Sequence, residues 1–217
     1  DAPPLEPRRF ELVGVDDGSP EPIEIDARRH RVAVTLVRQE NAGPGAARNT
    51  AFAHCRAPLV LILNDDAVPS PGLFAGHVAV HAERAARGEE PAAVLGTFRF
   101  TEEARRHPFV QVLEDSDLLF DFPGLKHGEL HPWTFFWTCN ISLPLAALKR
   151  AGGFDAVLFR EAIVEDVELG YRLERLGWQV LHRADLECEH DHVIDCAAYF
   201  RRMVRLGVNL ARMHAKH

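Results

Sequence analysis

The sequence predicts an α/β fold in which one sheet is covered by helices on both faces. Apolar segments of strand length alternate with segments of helical periodicity along the chain. The run 59–63 is uniformly apolar, as in a strand buried on both faces, and it ends in Asn64-Asp65-Asp66 followed by a proline-rich turn. No low-complexity or Ser/Gly-rich stretch divides the 217 residues, so we expect residues 1–217 to form a single domain.

The first half of the chain predicts three strands and two helices. Residues 10–15, 31–37 and 59–63 are apolar runs bounded by polar or turn-forming residues, which indicates strands. A segment of helical periodicity at residues 45–55 lies between the last two strands, and a second at residues 72–87 follows the proline-rich turn. This alternation favours the α/β class.

The second half predicts further strands and helices around a long loop. Glycine marks two of the helix ends, at Gly152-Gly153 and at Gly177, because it readily adopts the left-handed cap conformation. The predicted elements are a strand at 92–100, a short helix at 103–113, a loop at 115–132, a core segment at 134–143, a helix ending at Arg150, a helix at 164–176, strands at 178–182 and 185–189, and a closing helix at 197–216.

Charge and composition argue against several classes of protein. A net charge of −7 disfavours a dedicated nucleic-acid binder, which needs a basic face for phosphates. The sequence contains no apolar run long enough to cross a membrane and no secretory leader pattern, so we expect a cytoplasmic location. The four cysteines lack paired C-x-x-C spacing, which favours free buried thiols over a disulfide framework or a zinc ribbon.

The acidic turn Asn64-Asp65-Asp66 is the strongest candidate for a functional site. A buried strand that ends in adjacent carboxylates places hard oxygen ligands at the carboxyl edge of a sheet, where open α/β folds bind their ligands. A divalent cation held by these oxygens would bind a diphosphate. The alternative is a solvated Asp-rich turn that binds nothing.

Two other segments carry groups that suit a nucleotide. In residues 15–19, Asp17 either accepts a hydrogen bond from a nucleobase or a ribose hydroxyl or forms a simple turn with its neighbours. The loop 41–49 opens a helix with Arg48 in its first turns, and both a helix N-terminus and a guanidinium suit phosphate. The loop also imitates the first two glycines of G-x-G-x-x-G, but Arg48 stands where the third glycine permits close packing of the helix.

The segment at residues 165–173 begins a helix with Glu165 and Asp166. We expect Val167 and Tyr171 to face the core, which leaves the two acids in the exposed first turn. Asp166 is a candidate general base toward an acceptor hydroxyl, if the site aligns the two groups closely. Alternatively, both carboxylates only stabilise the N-terminus of the helix.

In this order, these segments resemble the family 2 glycosyltransferases of the GT-A fold. The residues that carry the resemblance are VDDGS at 15–19, NAGPGAARN at 41–49, LILNDDAVPSPG at 61–72, TCNISLP at 138–144, AGGFD at 151–155 and EDVELGYRLERLG at 165–177. The resemblance implies a Rossmann-like nucleotide-binding sandwich whose mixed, mostly parallel sheet is flanked by helices. It also implies a donor-binding part at about 1–100, an acceptor and catalytic part at about 101–194, and a C-terminal helix at about 195–217.

The resemblance assigns roles to single residues. Asp166 matches the catalytic base of the family, and Asp66 matches the ligand of a Mg²⁺ or Mn²⁺ ion on the donor diphosphate. His190 lies where such enzymes often place a histidine near the metal or the diphosphate. The residues assigned to the nucleotide-sugar site are Asp17, Arg48, Asp65, Asn140 and Glu165.

The implied activity is that of a hexosyltransferase. It moves a sugar from a nucleoside-diphosphate sugar, with inversion and metal assistance, to a hydroxyl of a saccharide, lipid-linked or small-molecule acceptor. Such a reaction belongs to polysaccharide or glycoconjugate synthesis. Two alternatives remain open, a catalytically silent nucleotide-sugar binding module of the same fold and a nicotinamide-dependent oxidoreductase.

Two departures from the family pattern set further expectations. Asn64 stands where the family usually has the first Asp of the triplet, and its carbonyl oxygen is a weaker metal ligand. The family begins with an apolar strand before the DDGS strand, whereas only nine residues precede Phe10. Because that strand lies inside the sheet in the family, we expect its absence to leave strand edges unpaired.

Three other groups of residues allow more than one interpretation. The aromatic residues at 133–137 either stack on a sugar ring or fill the core. The last helix is basic and amphipathic, so it either packs on the domain or rests peripherally on the inner face of an anionic membrane. A set of soft-metal ligands has a spacing that fits no common zinc pattern: Cys188, His190, His192 and Cys196.

Overall fold

The computed structural model describes residue 6 and residues 9–26 and 31–217, in which strands and helices alternate along most of the chain. The strands are β1 (Glu11–Asp16), β2 (Ala33–Arg38), β3 (Leu59–Leu63), β4 (Ala67–Pro69), β5 (Ala92–Phe100), β6 (Leu130–His131), β7 (Asn140–Pro144) and β8 (Gln179–His190). The helices are α1 (Pro44–His54), α2 (Leu73–Ala86), α3 (Glu102–Arg105), α4 (Pro108–Glu114), α5 (Leu145–Arg150), α6 (Glu165–Glu174) and α7 (Cys196–Lys216), with a short 3₁₀ helix at Trp133–Phe135.

The strands form two sheets. β1 and β2 pair in parallel over six residues as a two-stranded sheet. The other strands follow the order β3-β7-β5-β8-β4, and β6 also pairs with β8. The longest pairing, that of β5 with β8, is parallel, whereas the shorter pairings of β7, β4 and β6 are antiparallel. The larger sheet is therefore mixed, and over the two sheets together parallel partners make up the larger share of the paired residues.

Helices bury both faces of the larger sheet. Successive residues of β3 point to opposite faces, so Val60 and Ile62 join one apolar cluster while Leu61 and Leu63 pack on another. The first cluster includes residues of α1, α5 and α6, and the second includes residues of α2. The predicted α/β sheet with helices on both faces is confirmed.

Strand direction brings the candidate residues to one edge of the sheet. β3 and β5 both run antiparallel to β7, and β8 runs parallel to β5. These three strands therefore end at the same edge. The acidic turn follows β3, and His190 ends β8, so both lie at the carboxyl edge where this fold class binds ligands.

Several elements differ from the prediction. The expectation of one helix at 103–113 is wrong, because Pro108 lacks an N–H donor and instead begins α4. The strands expected at 178–182 and 185–189 form the single strand β8, whose pairing with β5 shifts register between Gly96 and Thr97. The short strands β4 and β6 lie in segments predicted as turn and loop, because their pairing with β8 is non-local.

Near the N-terminus, β1 and β2 pair only with each other among the described residues. Their two-stranded sheet is separate from the larger one. The expectation of a missing first strand concerns residues 1–9, of which 1–5, 7 and 8 lie outside the described residues. The described helices include none with both the length and the apolar character needed to cross a bilayer. All four cysteines are free thiols, as predicted, although Cys196 is exposed.

Candidate active site

Asp66 and His190 meet at the carboxyl edge of the larger sheet. Asp66 belongs to the turn after β3, and its Oδ2 lies 3.0 Å from Nε2 of His190 at the end of β8. The side chain of Asp66 is 29% exposed, and that of His190 is buried between Phe98 and Phe100. The hydrogen bond from His190 lowers the pKa of Asp66, so this carboxylate is charged at neutral pH.

His192 completes a group that can hold a metal ion. Ligand atoms of Asp66, His190 and His192 all lie within 4.8 Å of one another. In the described structure, Oδ1 of Asp66 and Nδ1 of His190 are buried without a hydrogen-bond partner. Buried polar atoms without a partner are costly, and a cation would satisfy the Asp66 oxygen. These three potential metal ligands therefore fit a divalent metal ion.

The sequence-based assignment missed His192 as a partner of Asp66. The signal available in the sequence is the position of His192 two residues after His190, because side chains two residues apart in extended backbone point to the same side. The alternative of a zinc site with the neighbouring cysteines is not supported. The group of metal-ligand residues found at this edge in the described chain includes neither cysteine: Cys188 is buried in the apolar cluster that contains residues of α2, and Cys196 is exposed at the start of α7.

Arg48 joins three of the sequence motifs. It lies on α1, and its Nη1 donates to Oε1 of Glu165 at 2.8 Å. Its Nη2 reaches Oδ1 of Asn64 at 3.5 Å, and the guanidinium lies 5.4 Å from the centroid of the Phe154 ring. The loop at residues 41–49, called the glycine loop below, is thus connected to the acidic turn and to the start of α6 through one side chain.

Glu165 is a buried carboxyl group. Its side chain is 3% exposed, and Oε2 has no hydrogen-bond partner in the described structure. Burial, and then the neighbouring charge of Asp166, raise the pKa of Glu165 to about 7, although Arg48 acts in the opposite direction. The group therefore titrates near neutral pH instead of remaining a fully ionised helix cap.

Asp166 stands beside Glu165 in the first turn of α6. Its Oδ1 accepts a hydrogen bond of 2.8 Å from the Val167 N–H, and Oδ2 accepts a longer one of 3.4 Å from the Thr138 N–H. The preceding residue, Val164, has φ 71°, a left-handed conformation that is strained for a β-branched side chain. Asp166 also lines a cavity of about 300 Å³. Its carboxylate is held by the backbone and still borders open space.

Asp17 holds the glycine loop in place. Its carboxylate accepts hydrogen bonds from the side chain of Gln39 at 2.7 Å and from the backbone N–H groups of Ala42 and Gly43 at 3.0 and 2.8 Å. These contacts fix the entry to α1, which is a turn-forming role. Contact of Asp17 with a nucleotide stays a prediction. The same holds for Asp65, which is exposed in the acidic turn.

Asn140 begins β7 opposite Leu63, at the sheet edge that carries the acidic turn, and its side chain points into the core. Its side chain is fully buried, and its Nδ2 donates to the carbonyl oxygens of Thr97 and Leu186 at 3.1 and 2.9 Å. Its Oδ1 lies 3.0 Å from Nε2 of the buried His77. These bonds bridge the register shift between β5 and β8. The amide is thus already hydrogen-bonded within the fold, and contact of Asn140 with the donor stays a prediction.

The aromatic residues at 133–137 divide between two roles. Phe136 is 1% exposed and belongs to the core, and Phe135 packs against the same cluster. Trp133 and Trp137 line the cavity beside Asp166. Core packing therefore applies to Phe135 and Phe136, and stacking of Trp133 or Trp137 on a sugar ring stays a prediction.

Comparison with known proteins gives matches to glycosyltransferases. Residues 5–129 match the model of glycosyl transferase family 2. The chain is 32% identical over 197 residues to validoxylamine A glucosyltransferase of Streptomyces hygroscopicus subsp. limoneus, which covers 79% of this chain and 42% of that protein. It is 26% identical over 223 residues to pre-mycofactocin glycosyltransferase of Mycobacterium tuberculosis, which covers 97% of this chain and 43% of that protein. The chain thus spans less than half the length of these relatives.

Solved structures show the same fold. Mannosyltransferase PcManGT of Pyrobaculum calidifontis, in complex with GDP-Man and Mn²⁺, matches with a TM-score of 0.61 and 22% identity over 95% of this chain and 54% of that chain. TarS 1-349 of S. aureus, in complex with UDP, matches with a TM-score of 0.58 and 17% identity over 93% of this chain and 56% of that chain. The likeness confirms the predicted GT-A-type fold.

Proposed function

Because the chain belongs to glycosyl transferase family 2, we propose that it transfers a hexose from a nucleoside-diphosphate sugar to an acceptor hydroxyl with inversion. One observation carries the proposal. The Arg48–Glu165 ion pair joins segments 117 residues apart, and it places the acidic turn next to the start of α6. Family membership leaves the nicotinamide-dependent oxidoreductase without support.

We propose that Asp66, His190 and His192 hold the metal ion. A bound divalent cation neutralises the negative charge that develops on the leaving diphosphate. Two imidazole nitrogens beside one carboxylate favour Mn²⁺ over Mg²⁺, because Mg²⁺ prefers oxygen ligands. The Mn²⁺ bound to PcManGT supports this choice.

We assign the donor to the edge formed by the glycine loop and the acidic turn. Asp17 orders the loop through three hydrogen bonds, so that the backbone at the start of α1 is fixed before a nucleotide binds. Asp65 is exposed beside Asp66, and its carboxylate can accept a hydrogen bond from a ribose hydroxyl. The GDP-Man of PcManGT and the UDP of TarS support a nucleoside-diphosphate donor.

Asp166 is the proposed catalytic base. The acceptor oxygen forms a new bond to the anomeric carbon of the donor sugar while the bond from that carbon to the diphosphate oxygen breaks. The acceptor proton passes to the Asp166 carboxylate, and the bonding electrons leave with the diphosphate. A single displacement inverts the anomeric configuration. Thr138 and Val167 orient the carboxylate through their backbone N–H groups.

Donor binding and sugar transfer test the proposal separately. Thermal shifts with UDP-, GDP- and dTDP-sugars, each with and without Mn²⁺, should identify one donor whose binding requires the metal. Release of the nucleoside diphosphate from that donor should then depend on an added acceptor. Metal-dependent binding without release for any acceptor would instead support the catalytically silent module. The absence of binding for every donor would contradict the proposal.

We also propose peripheral contact with an anionic membrane through α7, in keeping with a role in polysaccharide or glycoconjugate synthesis. Tyr199 and Met213 pack on the domain, whereas the outer face exposes Phe200 and Val204 beside basic residues. Sedimentation with phosphatidylglycerol vesicles should carry the protein down, and phosphatidylcholine vesicles should not. Equal behaviour with both lipids would contradict this contact.

A further inference from the structure

A cavity of about 300 Å³ lies beside the proposed catalytic base. It opens where residues 118–120, the 3₁₀ helix, the first turn of α6 and the middle of α7 meet. Asp166 forms part of its wall, so any molecule that fills the cavity contacts the proposed base. The cavity is large enough for a small organic ligand.

The walls of this cavity are mainly apolar. Phe120 and Trp137 pack against each other with ring centroids 5.1 Å apart, and Trp133 packs edge-on against Tyr171. These contacts hold the aromatic rings in place. The facing wall comes from α7, which contributes Met203, Leu206 and Leu210.

Few polar side chains line the cavity. Apart from the indole rings, the lining residues of the described chain with polar side chains are Thr134, Asp166 and Arg202. Arg202 already donates to the carbonyl oxygen of Ala162 at 2.9 Å. A saccharide in this space would lose water from many hydroxyls without regaining their hydrogen bonds, which is unfavourable. The lining instead suits a hydrocarbon ring or chain with one hydroxyl at Asp166.

We infer that this cavity is the acceptor site and that the acceptor is an alcohol with an apolar ring or chain next to its reactive hydroxyl. The inference rests on the proposed function. The acceptor oxygen bonds to the anomeric carbon, its proton passes to Asp166, and the nucleoside diphosphate leaves. Because α7 supplies one wall, the residues of α7 select the acceptor.

Tryptophan fluorescence can measure binding in this cavity directly. Trp133 and Trp137 line it, and the third tryptophan, Trp178, lies in a different surface pocket, so a Trp178→Phe background isolates the signal. The probes are 2-phenylethanol, which has an apolar phenyl ring, and methyl β-D-glucoside, which has a polar sugar ring. Burial of the phenyl ring should make the Kd of 2-phenylethanol lower by about tenfold or more.

A matched pair of variants on α7 locates the binding. Leu210 and Val208 are 48% and 49% exposed, so either tolerates a polar side chain, but only Leu210 lines the cavity. Leu210→Gln should weaken binding of 2-phenylethanol about fivefold, and Val208→Gln should leave it unchanged. Leu206→Phe, which fills the cavity from within, should also weaken it. Equal binding of the two probes, or equal effects of Leu210→Gln and Val208→Gln, would overturn the inference.

Donor binding separates a failure of this inference from a failure of the proposed function. Mn²⁺-dependent binding of UDP, GDP or dTDP should be the same in wild type and in all three α7 variants. If none of the three nucleotides binds to the wild type, the proposed function fails. If a nucleotide binds and transfer proceeds to methyl β-D-glucoside but not to 2-phenylethanol, the proposed function stands and the apolar-acceptor inference is wrong.

Discussion

Arg48 of α1 and Glu165 of α6 form an ion pair of 2.8 Å between residues that lie 117 positions apart in the sequence. The side chains are 18% and 3% exposed respectively, so the pair is largely shielded from water. Arg48 also reaches Asn64 of the acidic turn. The ion pair therefore links the acidic turn to the segment of α6 that carries the proposed base.

Removing the arginine should destabilise the fold. Arg48→Met leaves Glu165 buried without its partner, and we expect the free energy of unfolding to fall by about 1–3 kcal/mol. Urea denaturation measures this change. Arg84→Met is a matched control, because Arg84 is 14% exposed but pairs with the more accessible Glu89. It should cost less than about 1 kcal/mol. Equal losses in the two variants would contradict the special role of the Arg48 pair.

The titration of Glu165 should make stability depend on pH. Burial raises its pKa from 4.5 to about 7 in the folded chain. Between these values the folded state keeps a proton that the unfolded state has released, so this group's contribution to stability falls as pH rises through the window. Glu165→Gln removes the titration. The stability of wild type relative to this variant should therefore decrease from pH about 5 to about 7.5 in urea denaturation. A constant difference would contradict the assignment.

The metal site should respond separately to each ligand. Asp66→Ala should abolish Mn²⁺-dependent turnover without unfolding the chain, because the residue lies in a turn at the rim. His192→Ala should raise the Mn²⁺ concentration for half-maximal activity about tenfold or more. His214→Ala, at an exposed position of α7, is the control and should change neither value. Unchanged metal dependence in Asp66→Ala would show that the cation binds elsewhere.

Asn140 should act on stability and not on donor binding. Asn140→Ala leaves the carbonyl groups of Thr97 and Leu186 buried without donors, so we expect a loss of about 2–4 kcal/mol in the free energy of unfolding. The donor Kd of the folded fraction, measured by titration calorimetry at low temperature, should match that of wild type. A much weaker donor Kd with unchanged stability would instead support the assignment of Asn140 to the donor site.

The sequence reveals the fold because its signals are local. β3 and β5 are apolar runs with clear ends, and their observed bounds equal or nearly equal the predicted ones. The resemblance to a family also assigns Asp66 and His190 to one site, and in the structure Oδ2 of Asp66 lies 3.0 Å from Nε2 of His190. In contrast, strands β4 and β6 are two or three residues long and exist only through pairing with β8.

The sequence does not reveal which polar side chains the fold uses for itself. Asn140 lies in a motif shared with the family, yet its amide bridges a register shift that no local pattern shows. Asp17 similarly binds two backbone N–H groups of a loop that lies far along the chain. Such occupied groups become visible only when non-local contacts are known, as does the ion pair of Arg48 with Glu165.

We propose that Asp166 removes the proton from the acceptor, and the kinetics of the Asp166→Asn variant test this role. Asparagine keeps the shape, and its single amide oxygen can still accept the shorter hydrogen bond from the Val167 N–H, but its NH₂ group accepts neither the Thr138 N–H nor the acceptor's proton. We predict that kcat falls by roughly 10² to 10⁴ while the donor Kd with Mn²⁺ changes little. Retention of most of the wild-type kcat, with donor binding intact, would contradict the account.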